Sequence, residues 1–351
     1  MKKGETEGKR ALDILKVNVG DKPNQTIILP KPVYITGSFS IVGKKEGMGP
    51  LGKTFSQVVE DEYFGEKTHE AAEQKMFEHA IRGAIRSGGY KEGDIDMLLS
   101  GDLLNQITSS AFAARSFDMM FVGMYGACST MALTMANAAC LVSGGFIKNA
   151  VVSAGSHFAT AERQFRTPLE LGNQKPPVAS WTVTGVGATV LSSTGKGPRI
   201  TEVTFGKVID WGTKDPNNMC AAMSPSFCHT LIAHFKDTGR KPEDYDAIFS
   251  GDLGKLGENI ARDLCANANY PLDERYTDCG RMIYDVKQNQ YQGGSGCGCG
   301  AVCLNGFILG KLKKKEWKRI LFVATGALMS PVSSFQGNTI PGIAHAVVIE
   351  A

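Results

Sequence analysis

With 351 residues, 42% of them hydrophobic and 21% charged, the chain is long enough for one large core or two fused ones. A formal net charge of +3 is too mild to argue for nucleic acid, and no stretch matches an RNA- or DNA-binding signature. No apolar run reaches the roughly 18 residues that cross a bilayer; nine scattered cysteines and no hydrophobic leader point to a reduced interior compartment rather than secretion.

Residues 1–30 are polar, charged and weakly periodic, and read as a flexible lead-in with a short helix at Arg10 to Val17. A first strand follows at Val33 to Ser40 and runs into the glycine-rich loop Lys44-Lys45-Glu-Gly47-Met-Gly49-Pro-Leu-Gly52, which lacks the P-loop lysine pattern. Thr68 to Ser87 is an amphipathic helix, and Asp94 to Leu103 an apolar strand. The stretch Gly123-Met-Tyr-Gly-Ala-Cys128-Ser-Thr then places a cysteine where a tight turn becomes a long helix apolar on every face, the pattern of a helix buried mid-protein. Unpaired N–H groups and the helix dipole at that point favour thiolate and attract anions, although free cysteine is also commonly a buried, inert core residue. Cys297, Cys299 and Cys303 lie among glycines with no second cysteine pair, which does not suit zinc.

Residues Met76 to Leu103 and Ser226 to Leu253 align without a gap at an offset of 150 (226 minus 76). They share Phe77/Phe227, His79/His229, Gly89/Gly239, Asp94/Asp244 and an identical Ser-Gly-Asp-Leu ending. Ala150 to Ser156 also resembles Leu321 to Ala327, at an offset of 171 that brings Cys128 onto Cys299. The chain therefore reads as a duplication, with halves at 31–198 and 199–351, and as a two-fold pseudo-symmetric α/β fold with both central helices in its core.

Gly-Ala-Cys128-Ser, the later strand Thr184 to Leu191 and the duplicated halves resemble the thiolase and β-ketoacyl synthase superfamily. That resemblance implies a layered αβαβα fold in which the cysteine at the first central helix accepts the acyl group. More specifically, Gly47-Met-Gly-Pro-Leu-Gly52, Ser100-Gly-Asp-Leu-Leu-Asn105-Gln106, Ala159-Thr-Ala-Glu-Arg-Gln-Phe-Arg166, Gln174-Lys-Pro-Pro177, Trp181-Thr-Val-Thr184 and Lys214-Asp-Pro-Asn217 are similar to the stage V sporulation protein AD family. The family implies a spore-forming bacterium and a part in moving dipicolinic acid, free or as its calcium chelate, into the developing spore. It implies a place at the periphery of the spore or forespore inner membrane, beside other transport proteins of the same assembly, and the superfamily implies a homodimer.

Condensation on this fold needs a histidine and an asparagine, or a second histidine, beside the thiol. The matching place after Asp246-Ala-Ile-Phe-Ser carries Gly251 with Asp252 next to it, and the second place reads Tyr291-Gln-Gly-Gly-Ser295. A non-catalytic binding protein without a resident cofactor is therefore expected, the only metal being calcium carried with the ligand; the alternative is an acyl-transferring or condensing enzyme using Cys128 with a partner such as His157. A two-carboxylate pyridine suits a helix amino end together with arginine forks. The candidate ligand-binding residues are Cys128, His157 at the end of its strand, Arg163, Gln164 and Arg166, Lys175 on the next loop, and Asn105 and Gln106 after the first Ser-Gly-Asp-Leu. The bland reading of the Arg163 segment is a surface or dimer contact. Asp102 and Asp252 read as backbone caps, His79 and His229 as structural, His69 and His234 as helix-surface residues, and His345 as part of the final strand. Lys311 to Arg319 holds six positive charges and Trp317. It reads as a solvated turn, or as a footing on an anionic membrane.

Overall fold

The computed structural model describes residues 24–165 and 175–351. The helix expected at Arg10 to Val17 and the candidate Arg166 lie outside the described residues. The first strand, β1, runs from Thr26 to Gly43, so residues 26–30, expected within the lead-in, already belong to the sheet. Their backbone pairs with the strand Arg199–Phe205 (β8), through Thr26 with Thr204 and Ile27 with Val203; that long-range partner is invisible to local periodicity.

The remaining strands of the main sheet are β2 (Gln57–Val59), β3 (Met97–Gly101), β4 (Met120–Gly123), β5 (Asn149–Ser156), β7 (Gly185–Ser192), β9 (Ala247–Ser250), β10 (Tyr276–Asp278), β12 (Arg319–Ala327) and β13 (Gly342–Glu350). Two-residue strands β6 (Trp181–Thr182) and β11 (Gly294–Ser295) pair with each other. The order β10-β9-β12-β13-β8-β1-β7-β5-β3-β4 is a palindrome about the β8–β1 pair, with β2 alone added beside β1. Each half thus repeats the same winding, as the sequence duplication requires.

The registers refine that duplication. Met97 pairs with Ala150, and Ala247 with Ile320. The first segment repeats at 150 (247 minus 97) but the second at 170 (320 minus 150), not the expected 171. The same spacing recurs in the carboxylates: Asp96 accepts from the N–H groups of Lys148 and Asn149, and Asp246 from those of Lys318 and Arg319. Cys128 therefore falls on Gly298, between the two cysteines, rather than on Cys299.

Three buried clusters give the layers. The first central helix, Thr130–Ser143, and the second, Cys297–Cys303, share the largest cluster between the two sheet halves. The helices Met219–Thr238 and Gly254–Asn267 cover the outer face of one half, and His69–Ser87 with Thr108–Ala114 that of the other. The result is αβαβα. Alanine is the commonest residue of the first central helix, with four copies, because small side chains let it lie between the two sheet halves. The second helix comes closer still: a Cβ on Gly187 of β7 would stand 2.3 Å from the Ala301 carbonyl oxygen, and one on Gly298 would stand 2.5 Å from that of Gly185. Those glycines serve close packing of helix on strand.

Candidate functional site

The turn before the first central helix is held by its own side chains. Ala127 adopts a left-handed φ of 49°, the Ser129 hydroxyl donates to the Gly126 carbonyl at 2.6 Å, and the Thr130 hydroxyl to that of Ala127 at 2.7 Å. Cys128 is left at the floor of a pocket, 8% exposed. From the other half, Gly326 presses its backbone onto the same turn, so that a Cβ there would lie 2.4 Å from the Gly126 carbonyl oxygen and 3.1 Å from the Cys128 nitrogen.

The pocket opens to solvent at its mouth, and its cavity volume is about 40 Å³. Its walls include Tyr125, Glu162, Phe165, Met219, Ser295 and Met329 beside Cys128. Among the described residues that line it, no lysine, arginine or histidine occurs, and Glu162 is the one charged side chain.

The acidic group that acts on the sulfur is Asp252. Asp252 is itself buried and fastened by the Ser295 hydroxyl at 2.8 Å, the Gly296 N–H at 3.0 Å and the Thr325 hydroxyl at 2.8 Å. Burial and then the Asp252 charge push the Cys128 thiol well above its ordinary pKa; burial raises Asp252 as well, against those hydrogen bonds. Both duplicated aspartates accept from backbone as expected, Asp252 from the Gly296 N–H before the second central helix, but Asp252 has a further contact. Asp102 accepts from the Leu104 and Ser110 N–H groups, whereas Asp252 stands at the thiol. Its sequence signal is its place beside Gly251, with Ser295 at the position expected for an asparagine.

The other sequence-derived candidates are distributed differently. His157 is buried but does not line the pocket: its Nδ1 accepts from the Ala159 N–H at 3.2 Å and its Nε2 donates to the Glu62 carbonyl at 2.9 Å, while burial lowers it to about 4. It is a neutral imidazole with both ring nitrogens engaged. Arg163 is exposed and pairs with Glu70. Gln164 donates to the Leu103 carbonyl and accepts from the Asn105 N–H, both at 2.9 Å, so it pins a loop. Asn105 and Gln106 are exposed, outside the pocket. Lys175 reaches the wall indirectly, 2.9 Å from Glu162. One geometric reason covers the Arg163 segment: Phe158–Phe165 is a helix, so Ala161, Glu162 and Phe165 share the pocket side while Arg163 turns outward.

Two further expectations change. His234 is fully buried, bonded to the Thr204 hydroxyl at 2.9 Å and to the Tyr245 hydroxyl at 2.5 Å; it is not a surface residue. Trp317 packs inward on Phe249 and Phe307, leaving Lys313, Lys314, Lys315 and Lys318 exposed around it.

The chain is similar in fold to 3-oxoacyl-[acyl-carrier-protein] synthase III from Aquifex aeolicus VF5, with a TM-score of 0.58 and 13% identity over 91% of this chain and 100% of that one. It is likewise similar to human mitochondrial 3-ketoacyl-CoA thiolase in complex with CoA, with a TM-score of 0.59 and 12% identity over 93% and 99%. These likenesses place the fold in the thiolase-like group. In sequence it is 43% identical over 326 residues to Stage V sporulation protein AD of Bacillus subtilis (strain 168), covering 93% of this chain and 96% of that protein. The family model described as Stage V sporulation protein AD matches residues 23–350. The chain belongs to the stage V sporulation protein AD family, and its role lies in sporulation.

Proposed function

We propose that the pocket at Cys128 binds dipicolinate without turning it over, and that the protein takes part in dipicolinate uptake into the developing spore. The observation that carries this reading is the Asp252 carboxylate at the thiol. A carboxylate there holds the sulfur as a neutral thiol, and a neutral thiol is a poor acyl acceptor. What remains is an open, partly aromatic pocket at the amino end of a long helix, with Tyr125 and Phe165 to contact a flat ring.

Isothermal titration with dipicolinate, with and without calcium, tests the reading. Saturable binding supports it, and heat no greater than dilution in both titrations sinks it. Stable labelling by radioactive acyl-CoA, lost in Cys128→Ser, would favour the acyl-transferring alternative.

The assembly is part of the same proposal. The edge strand β4 is exposed at every residue, with Phe112 and Tyr125 exposed nearby, which suits pairing with a second copy. The exposed lysines from Lys313 to Lys318 suit an anionic leaflet, each contributing on the order of 1 kcal/mol, and hence a peripheral place at the spore inner membrane beside its transport partners. No helix among the described residues is long and apolar enough to cross a membrane.

A further inference from the structure

A single row of paired residues crosses the sheet and joins the starts of β5 and β12: Asn149 with Ser192, Ser192 with Tyr34, Tyr34 with Arg199, Arg199 with Glu350, and Glu350 with Arg319. The loops that enter those two strands therefore lie at one end of the molecule. They are copies of each other, 170 residues apart (316 minus 146): the Phe146 N–H donates to the Leu141 carbonyl as that of Glu316 does to Lys311, and Gly145 donates to Val142 as Lys315 does to Leu312. Gly145 has a left-handed φ of 78°, and Lys315 takes the same place at 58°. Glycine is the easier residue there, so the backbone does not account for the lysine.

The two loops carry different chemistry. Phe146 is 79% exposed, with Lys148 exposed two positions on. The second loop exposes Lys314, Lys315 and Lys318 beside a cavity of about 540 Å³ lined by Arg199, Lys315, Lys318 and Arg319. The carboxylates of that cavity are already engaged: Asp246 by the Lys318 and Arg319 N–H groups, Asp244 by that of Lys241, and Glu350 by both arginines. Among the described residues, no carboxylate pairs with Lys148, Lys314, Lys315 or Lys318.

We propose that this end of the molecule docks on an anionic phospholipid bilayer, the cavity taking a headgroup phosphate and Phe146 entering the boundary with the acyl chains. The inference rests on the peripheral-membrane reading above and adds which residues make the contact. Its argument is complementarity of two kinds: unpaired ammonium groups meet phosphates, and a lone exposed ring beside them meets hydrocarbon. A nucleic-acid duplex would satisfy the lysines and leave Phe146 in water. Orientation follows from one strand, since β12 starts at Arg319 in the cavity and ends at Ala327 in the wall of the Cys128 pocket. Eight steps of about 3.3 Å set these ends roughly 26 Å apart, so the pocket sits at the end remote from the lipid.

The test is co-sedimentation of the full-length protein with vesicles of phosphatidylglycerol and phosphatidylcholine, against phosphatidylcholine alone. Wild type binds the first and not the second. Lys315→Glu with Lys318→Glu weakens binding by about twentyfold or more, from about fivefold for each basic residue removed, and Phe146→Ser weakens it by about fivefold. Lys67→Glu with Lys255→Glu changes the net charge equally at exposed positions away from this end and leaves binding within about twofold. Equal losses in the two double variants, or no loss in either, overturn this face while membrane attachment stands. A wild type that ignores phosphatidylglycerol overturns the peripheral reading, and the face with it. Phe146→Trp gives a second readout: on the anionic vesicles its emission moves to shorter wavelength and is quenched by lipids brominated in the acyl chain, and unchanged emission overturns the insertion.

Discussion

The carboxylate of Asp252 acts on the thiol of Cys128, so the sulfur at the amino end of the first central helix faces an acidic side chain that opposes thiolate. The two side chains come from different halves of the chain and meet where the central helices abut.

That contact makes the sulfur slow. In wild type, iodoacetamide alkylates Cys128 only at strongly alkaline pH, and Asp252→Asn speeds the reaction at pH 8 by about tenfold for each unit that the thiol falls. Peptide mapping after timed alkylation measures it, and equal rates in the two proteins would refute the electrostatic account.

Association through β4 is tested by Met120→Lys combined with Val122→Lys. Both residues are exposed, at 53% and 38%, so the fold tolerates them, but across a two-fold axis they set like charges against each other. Sedimentation equilibrium should give a dimer for wild type and a monomer for the variant; a monomeric wild type removes the edge from consideration.

Stability has opposing pH limbs. Burial lowers His157, His229 and His345 to about 4 and His234 to about 3, against roughly 6.5 when unfolded. Between pH 6.5 and 4 the unfolded chain takes up protons that the fold refuses, so this stability is whole above 6.5 and drains on acidification. Asp278, raised by burial to about 7, works the other way: its contribution is whole at about pH 4 and below and is lost as pH rises to about 7. Urea midpoints measured from pH 4 to 7 should show a shallower acid limb in His234→Phe and a steeper one in Asp278→Asn. Parallel profiles would contradict both assignments.

At Gly326 the obstacle is backbone, which cannot rotate aside. Gly326→Ala should destabilise by about 2–4 kcal/mol, read from the urea midpoint, and distort the Cys128 turn. A loss below about 0.5 kcal/mol would mean that the two halves meet less tightly than described.

Repetition carried most of the fold in the sequence. The shared Ser-Gly-Asp-Leu ending placed β3 and β9 correctly because one helix-turn-strand unit is copied without a gap. The second copied segment slipped by one residue because Ala-Gly-Ser and Ala-Thr-Gly match equally well in either frame, and only strand register separates them. The site was less legible. Cys128 is announced by its own turn, but Asp252 acquires its meaning from a contact between halves. His157, Arg163 and Gln164 were drawn in by nearness along the chain, and helix geometry and local hydrogen bonds direct them elsewhere. Glu162 stands one position before Arg163, and the helix turns it into the pocket.

The palindromic sheet has two rims, and they are unlike. The β4 rim is open along its whole length, while at the β10 rim Tyr276 and Asp278 are sealed. A sheet adhesive at both margins would add copies without end and grow into a filament. On the proposed pairing through β4, one added copy would occupy the single adhesive margin among the described residues, and self-association would terminate at a pair.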